Sequence, residues 1–375
     1  MQANIKKIFT YPALILFVVV LVSHASYILN GFTWLDHGDI ENRQAIAELS
    51  DFKKIFFSPF GETNFYRPIV TIFHSIDSTI YGTWAPGFHI TNILLHVLGS
   101  IFAYLFIRKF FELTQTESLI AAIIFGIHPL SWLPVGAISY RPEILVTLFT
   151  LASLVAYFEY HAKHTQKSLL LFYLSALLAL LSKETALFLI PALIILYHYK
   201  NSTNKKAFSR KTLLTLLTLI SLYGTLHAIA IPKLWSIKSP QWNLSESIGT
   251  RILALEYRLT EIPSPITPAL ADTIVKTPIA DWRVFATITA VIALLLFTFS
   301  KKTNASERKA VLFIFITLLP ALNIIPLPRL SSPHYGYFPA IGIGVLFTLL
   351  LRRHYFFRFI IGAWIIGTSS AAFSN

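Results

Sequence analysis

The chain has 375 residues, of which 55% are hydrophobic and 13% are charged, and its mean hydropathy is +0.63. Soluble domains usually carry about 25% charged residues, so the composition excludes an ordinary soluble protein and predicts an integral membrane protein. The chain has no cysteine, which excludes disulfides, thiolate zinc sites and cysteine nucleophiles.

Hydrophobic runs predict an all-α polytopic membrane protein, because a run needs about 20 residues to cross a hydrocarbon core of about 30 Å. Eleven spans are predicted, at 8–30, 87–107, 118–138, 143–161, 168–182, 185–199, 212–231, 281–300, 310–327, 336–351 and 355–373. The fifth and sixth are short, and the break "LSKETALF" between them leaves two half-deep helices open as an alternative. We expect one transmembrane domain over 1–375, with its first helix retained and no tetratricopeptide-repeat domain.

Basic residues predict the orientation of this domain. With a cytoplasmic N-terminus, the inner loops and helix ends hold 18 of the 31 Lys and Arg residues but only four of the 18 acidic residues. An inner excess of this kind is what the positive-inside rule expects. Because these basic residues form no continuous stripe, we expect no nucleic-acid partner. The composition favours a bacterial inner membrane with the outer loops in the periplasm, and an endoplasmic reticulum lumen is topologically equivalent.

Two outer segments, 31–86 and 232–280, are too long for simple connections and too short for separate domains. We expect them to form interfacial helices that lie on the lipid bilayer. The stretch "SDFKKIFFSPF" suits such a helix, with lysines directed at lipid phosphate and apolar side chains directed at lipid. The lysines are Lys53 and Lys54, and the apolar residues are Phe52, Ile55, Phe56 and Phe57.

Charged and histidine residues recur near the predicted outer helix ends, at Asp36, Asp39, Arg67, His89, His128, Arg141, Glu143, Lys183, Glu184, Arg329 and His334. Charges at membrane depth are costly, so they usually pair or serve function. If the helices bundle, these side chains converge on one outward-facing cavity. A carboxylate there is suited to accept a hydroxyl proton, and basic side chains are suited to hold a departing phosphate. A lipid-linked phosphosugar fits this combination.

Six short motifs occur in order between residues 32 and 342. They consist of Phe32, Trp34, Asp36 and Asn42; "YRP" at Tyr66, Arg67 and Pro68; "YGTWAPGFHITNILLH" with His89, Asn92 and His96; His128 and Pro129 followed by Arg141 and Glu143; Lys183 and Glu184; and "PHYGYFPAIG" with His334 and Tyr337. Together they resemble the C-type (GT-C) glycosyltransferase superfamily. Within it they are most similar to the membrane part of the transmembrane and tetratricopeptide-repeat O-mannosyltransferases and their bacterial relatives.

The resemblance implies transfer of a sugar, with inversion, from a polyprenyl-phosphate donor to a hydroxyl acceptor on the outer face. It implies that Asp36 is the general base. One acid of the family's pair is absent, since Leu35 or His37 stands in its place, and Asp39 is the residue available to compensate. The family's Arg is His334 here. The donor-binding candidates are Arg67, His89, Arg141, Lys183 and His334, and the supporting candidates are His37, Asn42, Tyr66, Glu143, Glu184 and Tyr337.

Simpler interpretations stay open at this point. His89, His96 and His128 also suit core packing, while Arg141–Glu143 and Lys183–Glu184 also suit structural ion pairs. Some superfamily members use a divalent metal, and Asp36, His37 and Asp39 offer oxygen and nitrogen ligands for Mg or Mn. No further acid pair completes the octahedral shell. A divalent metal, Mg or Mn, therefore stays open but is not predicted, and the sequence identifies no cofactor.

Two other function classes also remain open. One is a transporter or flippase of a lipid-linked or anionic substrate, and the other is a non-catalytic membrane scaffold. A transporter predicts internal repeats with broken helices in matching halves, and the sequence shows no such repeat. The acceptor hydroxyl is expected on a protein or a glycan, and the sequence identifies neither the sugar nor the acceptor.

Overall fold

The computed structural model describes residues 2–198, 210–231, 243–266, 275–322 and 332–353, together with Gly362 and Trp364. Its described part is built from α-helices joined by short 3₁₀ and π turns, which confirms the all-α prediction. The α-helices are α1 (Gln2–His24), α2 (Phe52–Phe56), α3 (Pro68–Tyr81), α4 (Ala85–Phe110), α5 (Gln115–Gly126), α6 (Trp132–Gly136), α7 (Arg141–Lys163), α8 (Gln166–Leu180), α9 (Ala186–His198), α10 (Arg210–Ala230), α11 (Leu244–Glu261), α12 (Trp282–Thr298), α13 (Ala305–Leu318) and α14 (Ala340–Arg353).

Four helical segments of the described chain are long and apolar enough to cross a membrane: Tyr11–Leu29, Ala85–Phe110, Ile138–Lys163 and Thr212–Ala230. A fifth candidate is the pair Gln115–Gly126 and Pro129–Gly136, which is bent by 51°. The chain is therefore a multi-pass membrane protein. The count of eleven spans is not confirmed, since α8, α9 and α12 have only 15, 13 and 17 residues. The predicted span 355–373 lies almost wholly outside the described residues.

Side-chain caps fix where several of these helices begin. Thr114 accepts from the backbone N–H of Glu117 at the start of α5, and Glu117 bonds back to Thr114. Asn243 and Asn304 make the same reciprocal cap at α11 and α13. Such a capping box satisfies two backbone donors that the helix leaves without partners. Pro68 begins α3, where a missing N–H costs nothing.

The long helix α4 lies at the centre of the bundle, in contact with α1, α3, α5 and α7. Helix α7 also packs against α8 and α9, and α14 packs against α5 and α13. The contact between α5 and α14 is close. A Cβ atom at Gly344 would lie only 2.4 Å from the Ala121 carbonyl oxygen. No side chain larger than hydrogen fits there without moving backbone.

The outer segment 31–86 contains a π-helical turn (His37–Glu41), α2 and α3. Phe52 and Phe57 are exposed, as expected for a surface that faces lipid. Ile55 is only 4% exposed, so its predicted lipid-facing position is wrong. The Lys54 ammonium donates to the Ile46 carbonyl at 2.9 Å, which gives it a partner within the protein. Helix α2 is a single turn that contacts α3, so one of its sides packs against the protein.

In the segment 232–280, the described residues include α11, which has 18 residues. Its contacts are with α12 and with the turns Leu319–Leu322 and Pro333–Gly336. The remainder of that segment lies largely outside the described residues, and a single domain over 1–375 stays a prediction.

Candidate active site

A cavity of about 320 Å³ lies where the outer segment 31–86 meets the starts of α7, α9 and α14. Its walls are mostly apolar and aromatic, and several of the charged residues singled out in the sequence line it. The charged and histidine residues are Asp39, Arg67, Glu143, Lys183, Glu184 and His334, and the aromatic residues are Phe60, Phe65, Tyr140, Tyr335 and Phe338. Residues separated by nearly 300 positions therefore meet at one cavity.

Arg67 is held in place by a carboxylate and an aromatic ring. It directly precedes α3, and its Nη2 atom lies 3.0 Å from Oε1 of Glu184. Its guanidinium carbon lies 4.0 Å from the centroid of the Phe65 ring. A paired and stacked guanidinium loses little additional freedom when it binds an anion. Arg67 is therefore a pre-positioned cation in the cavity wall.

Glu143, in the first turn of α7, has two basic neighbours. Its Oε1 atom forms an ion pair with the Lys183 ammonium, and it lies 3.4 Å from Nε2 of His334. Lys183 occupies the break between α8 and α9. The other ring nitrogen of His334 is 2.6 Å from the hydroxyl oxygen of Ser332. Glu143 therefore connects the α8–α9 break to the turn that precedes α14.

The ion pairs do not follow the order of the sequence. Arg141 does not pair with Glu143, and Lys183 does not pair with Glu184, so both structural pairs left open above are wrong. Lys183 pairs with Glu143, as just described, and the partner of Arg141 is Asp77 on α3, with Nη2 and Oδ2 2.7 Å apart. The crossed partners tie the segment before α3, the start of α7 and the α8–α9 break to one another.

Asp39 is the acidic residue of the π-helical turn that lines the cavity. Burial raises the pKa of Asp39 to about 6; the Ser139 hydroxyl and the Arg67 charge oppose this shift, and the Asp36 charge adds to it. A carboxylate with this pKa is still mostly ionised near neutral pH and holds a proton more tightly than an ordinary aspartate. Asp39 thus has the properties of a general base.

Asp36 is fully buried and does not line the cavity. Its Oδ1 atom accepts from the backbone N–H and the hydroxyl of Ser139, at 2.7 and 2.8 Å. Its Oδ2 atom accepts from the N–H and the hydroxyl of Thr33, both at 3.2 Å. Four donors therefore surround this carboxylate, and they fasten the π-helical turn to the turn that precedes α7.

Two predicted donor ligands also lie away from the cavity. Arg141 is fully buried, and besides its ion pair it donates to Oδ1 of Asn92 at 2.6 Å and to the Phe88 carbonyl at 3.2 Å. His89 is buried as well, and its Nε2 atom lies 3.2 Å from the Gly31 carbonyl oxygen. These contacts connect α3, α4 and α7 in the protein interior.

His37 and Asn42 have local roles in the π-helical turn. The exposed His37 ring lies 2.5 Å from Oε2 of Glu41, and the backbone N–H of Asn42 donates to the His37 carbonyl at 2.9 Å. In the described ranges, no group of three or more histidine, aspartate or glutamate side chains is arranged to hold a metal ion. The set Asp36, His37 and Asp39 therefore does not fit Mg or Mn.

The two predicted supporting tyrosines are buried in packing positions. The Tyr66 hydroxyl donates to the Phe56 carbonyl at 3.0 Å, and the Tyr337 hydroxyl lies 2.6 Å from Nδ1 of His96. Neither tyrosine lines the cavity. Each fixes the backbone beside a residue that does line it, since Tyr66 precedes Arg67 and Tyr337 precedes Phe338.

Three comparisons with known proteins bear on this site. A family model described as dolichyl-phosphate-mannose-protein mannosyltransferase matches residues 68–229. Protein O-mannosyl-transferase F38B6.6 of Caenorhabditis elegans is 26% identical over 211 residues, which cover 52% of this chain and 29% of the relative. Human protein O-mannosyl-transferase TMTC4 is 31% identical over 105 residues, which cover 24% of this chain and 14% of the relative. The chain thus spans less than a third of these relatives.

The crystal structure of ArnT from Cupriavidus metallidurans bound to undecaprenyl phosphate superposes with a TM-score of 0.50. The match covers 98% of this chain and 63% of ArnT, at 12% sequence identity. The chain has a GT-C fold. The resemblance stated from the six motifs is therefore confirmed.

Within this GT-C fold, two residues that hold the cavity's surroundings in place were not identified from the sequence. Ser139, which holds Asp36, and Asp77, which neutralises Arg141, were both overlooked. Asp77 carries a usable signal, because it is the single acid in the otherwise uncharged α3 segment "PIVTIFHSIDSTIY". Ser139 carries none, since a serine between "AI" and "YRP" does not differ from any other loop serine.

Proposed function

We propose that this protein transfers a sugar from a polyprenyl-phosphate donor to a hydroxyl acceptor, with inversion at the sugar. The observation that carries the proposal is the cavity in which Asp39 shares an apolar enclosure with Arg67 and Lys183. The family model described as dolichyl-phosphate-mannose-protein mannosyltransferase and the undecaprenyl phosphate bound to ArnT support a lipid-linked donor. The acceptor we propose is a protein or a glycan.

In the proposed reaction, the acceptor hydroxyl gives its proton to the Asp39 carboxylate while its oxygen attacks the anomeric carbon of the sugar. A carbon–oxygen bond forms on one face of the ring, and the bond to the phosphate oxygen breaks on the other. The lipid phosphate leaves with the electron pair. One displacement inverts the configuration. General base catalysis of this kind typically contributes a factor of about 10² to 10⁴ in rate.

The departing phosphate is the proposed partner of the Arg67 guanidinium and the Lys183 ammonium. Charge-assisted hydrogen bonds to phosphate oxygens are stronger than neutral ones. They act best when the donors are held in position before the charge develops. Glu184 and Glu143 hold these two cations in the cavity wall without a ligand, which supports such a pre-organised arrangement.

The sequence favoured Asp36 as the base, and the structure favours Asp39. Asp36 is enclosed by four donors from Thr33 and Ser139 and has no surface on the cavity. We assign it a positioning role, in which it keeps the π-helical turn, and hence Asp39, against the turn that precedes α7. Neither assignment requires a metal ion.

The apolar part of the lining supports a lipid-borne substrate, since Leu35, Val146 and Leu189 extend the cavity surface beyond its charged side. The proposed location is a bacterial inner membrane, with a cytoplasmic N-terminus and the cavity open to the periplasm. This orientation follows from the excess of basic residues at the predicted inner ends of the helices.

The test uses purified protein in detergent with a radiolabelled polyprenyl-phosphate hexose and candidate hydroxyl acceptors. We expect a labelled acceptor to form in detergent, where no gradient exists, which distinguishes transfer from transport. Asp39→Asn should lower the rate by about 10² to 10⁴. Asp51→Asn is the matched control, because Asp51 caps α2 in the same outer segment and asparagine caps equally well. Unchanged activity of Asp39→Asn would remove Asp39 as the base, and movement of donor across vesicles without product would favour a transporter.

A further inference from the structure

The loop 60–65, between α2 and α3, forms one wall of the cavity. Phe60, Thr63 and Phe65 line the cavity, while Glu62 and Asn64 are exposed. Two backbone hydrogen bonds close this loop. The N–H of Phe60 donates to the Phe65 carbonyl at 2.8 Å, and the N–H of Thr63 donates to the Phe60 carbonyl at 3.2 Å. The loop is therefore a compact turn with its polar residues divided between solvent and the cavity.

One part of this loop lies directly against Asp39. Gly61 has a positive φ of 56°, and a Cβ atom placed on it would lie 3.7 Å from Oδ1 of Asp39 and 3.6 Å from the carbonyl carbon of Gln44. Glycine adopts this left-handed conformation without the steric cost that other residues incur. The backbone at Gly61 thus covers one side of the carboxylate that we propose as the base.

The far end of the loop reaches the proposed phosphate ligand Arg67. The guanidinium carbon of Arg67 lies 4.0 Å from the centroid of the Phe65 ring. At the near end, Phe60 is only 4% exposed, and its ring centroid lies 5.9 Å from that of His74 in the interior. The loop therefore extends from the base to the cation, and a sugar that reacts between Asp39 and Arg67 lies against it.

The side chain of Thr63 connects the two ends of the loop. Its hydroxyl donates to the Phe60 carbonyl at 2.5 Å and accepts from the N–H of Phe65 at 3.2 Å. Two hydrogen bonds of ordinary net strength together favour a closed loop by about tenfold or more. Loss of this hydroxyl is therefore expected to release the loop from Asp39.

We propose that Thr63 is a positioning residue, which locks the loop 60–65 against Asp39 and so keeps water away from the base. This inference rests on the proposed function, since it takes Asp39 as the base. A carboxylate that accepts a proton from an acceptor hydroxyl accepts one from water as well. The water oxygen would then bond to the anomeric carbon, the bond to the phosphate oxygen would break, and free hexose and polyprenyl phosphate would form. Exclusion of water prevents this side reaction.

The pKa of Asp39 agrees with a carboxylate that the loop shields. Burial raises it to about 6, the Ser139 hydroxyl and the Arg67 charge oppose this shift, and the Asp36 charge adds to it. The acid of the loop itself, Glu62, is exposed. Opening of the loop would admit water and bring the pKa of Asp39 closer to the ordinary aspartate value of about 4. The other charged and histidine residues of the cavity lie on its remaining walls, at Glu143, Lys183, Glu184 and His334.

The experiment measures the release of free hexose from a radiolabelled polyprenyl-phosphate hexose by the purified full-length protein in detergent, without acceptor. We expect slow release by the wild-type protein. Thr63→Val removes both hydrogen bonds and nearly keeps the shape of the side chain, so release should become about tenfold faster. The acidic limb of its pH profile should lie about one pH unit below that of the wild-type protein. A purely structural defect would lower the rate and would not produce this gain.

Further variants assign the effect. Thr63→Ser keeps the hydroxyl and should restore slow release. Thr63→Val/Asp39→Asn should lose the added hydrolysis, because the base is gone. Thr79→Val is the matched control, since exposed Thr79 on α3 donates to the Ser75 carbonyl at 2.8 Å, away from the cavity. If Thr63→Val fails to fold, Gly61→Ala gives the second test, because alanine is strained at this positive φ and loosens the same loop.

The outcomes are distinguishable. Faster hydrolysis together with the shifted acidic limb supports the inference. An unchanged or lower hydrolysis rate, or an acidic limb that does not move, overturns it and leaves the proposed function standing. Added hydrolysis that persists in Thr63→Val/Asp39→Asn also overturns it, since another group then activates the water. If the wild-type protein forms neither free hexose nor a labelled acceptor, the proposed function fails together with the inference.

Discussion

The buried ion pair between Asp77 and Arg141 offers the sharpest test of the packing between the outer segment and the bundle. Arg141 is completely buried, and the side chain of Asp77 is only 4% exposed. Asn92 and the Phe88 carbonyl occupy two other donor positions of the guanidinium, and both are neutral. Asp77→Asn therefore leaves a buried positive charge without its counter-ion while the shape of the side chain is nearly unchanged.

Removal of one partner from a buried pair typically costs about 3 to 5 kcal/mol, because the remaining charge is neither solvated nor neutralised. We expect Asp77→Asn to lower the free energy of unfolding by this amount. The matched control is Asp281→Asn. Asp281 pairs with Arg283 at 2.9 Å, but the arginine side chain is 50% exposed. Exposed pairs contribute about 0 to 1 kcal/mol, and asparagine keeps the cap of α12.

The assay is reversible unfolding in mixed micelles, followed by tryptophan fluorescence, for wild type, both single variants and a double-mutant cycle. Arg141→Met alone should also be destabilising, because it leaves Asp77 as a buried unpaired acid. The double variant Asp77→Asn/Arg141→Met should cost clearly less than the sum of the two single changes. Additive costs, or a loss below about 1 kcal/mol for Asp77→Asn, would refute the reasoning. Unchanged stability with lost donor binding would instead return Arg141 to the donor-binding set.

Three further predictions concern the base, its support and helix packing. The rate of transfer should fall about tenfold for each pH unit below about pH 6, because a protonated Asp39 cannot take the proton of the acceptor hydroxyl. Measurement of kcat/KM as a function of pH tests this prediction. Ser139→Ala should destabilise by about 1.5 to 3 kcal/mol in chemical unfolding, since buried Asp36 loses a hydroxyl donor at 2.8 Å. Gly344→Ala should cost about 1 to 3 kcal/mol because its Cβ meets Ala121 backbone, whereas Gly224→Ala, with nothing within 4 Å, should be neutral or stabilising in a thermal melt.

The apolar runs predicted where helices form because a run of suitable length has few other stable conformations in lipid. Ala85–Phe110 and Thr212–Ala230 match predicted spans within three residues at each end. The number of membrane spans could not be predicted from these runs with the same accuracy. Whether Gln166–Leu180 and Ala186–His198 cross completely depends on tilt and on the thickness of the bilayer around them, and a composition window contains neither quantity.

The sequence also indicated all six charged or histidine residues that line the cavity, because charge next to apolar runs is rare and usually has a function or a partner. The sequence did not predict which of these residues form ion pairs with one another. Arg67 and Glu184 are 117 positions apart, and their contact depends on how α3 docks against the α8–α9 break. The same limit applies to Asp36 and Asp39. Their spacing suggests one face of a regular helix. Instead, Asp36 is buried at the residue before the π-helical turn, and Asp39, within that turn, lines the cavity.

The crossed ion pairs have a consequence for how the cavity works. Glu184 and Glu143 hold Arg67 and Lys183 at the places where a phosphate is expected, so the residues that shape the walls are also the proposed ligands. A phosphate that enters must share or replace these carboxylates, and part of its attraction to the cations is offset by repulsion from the acids. Tight binding therefore needs either movement of a glutamate or an added positive charge.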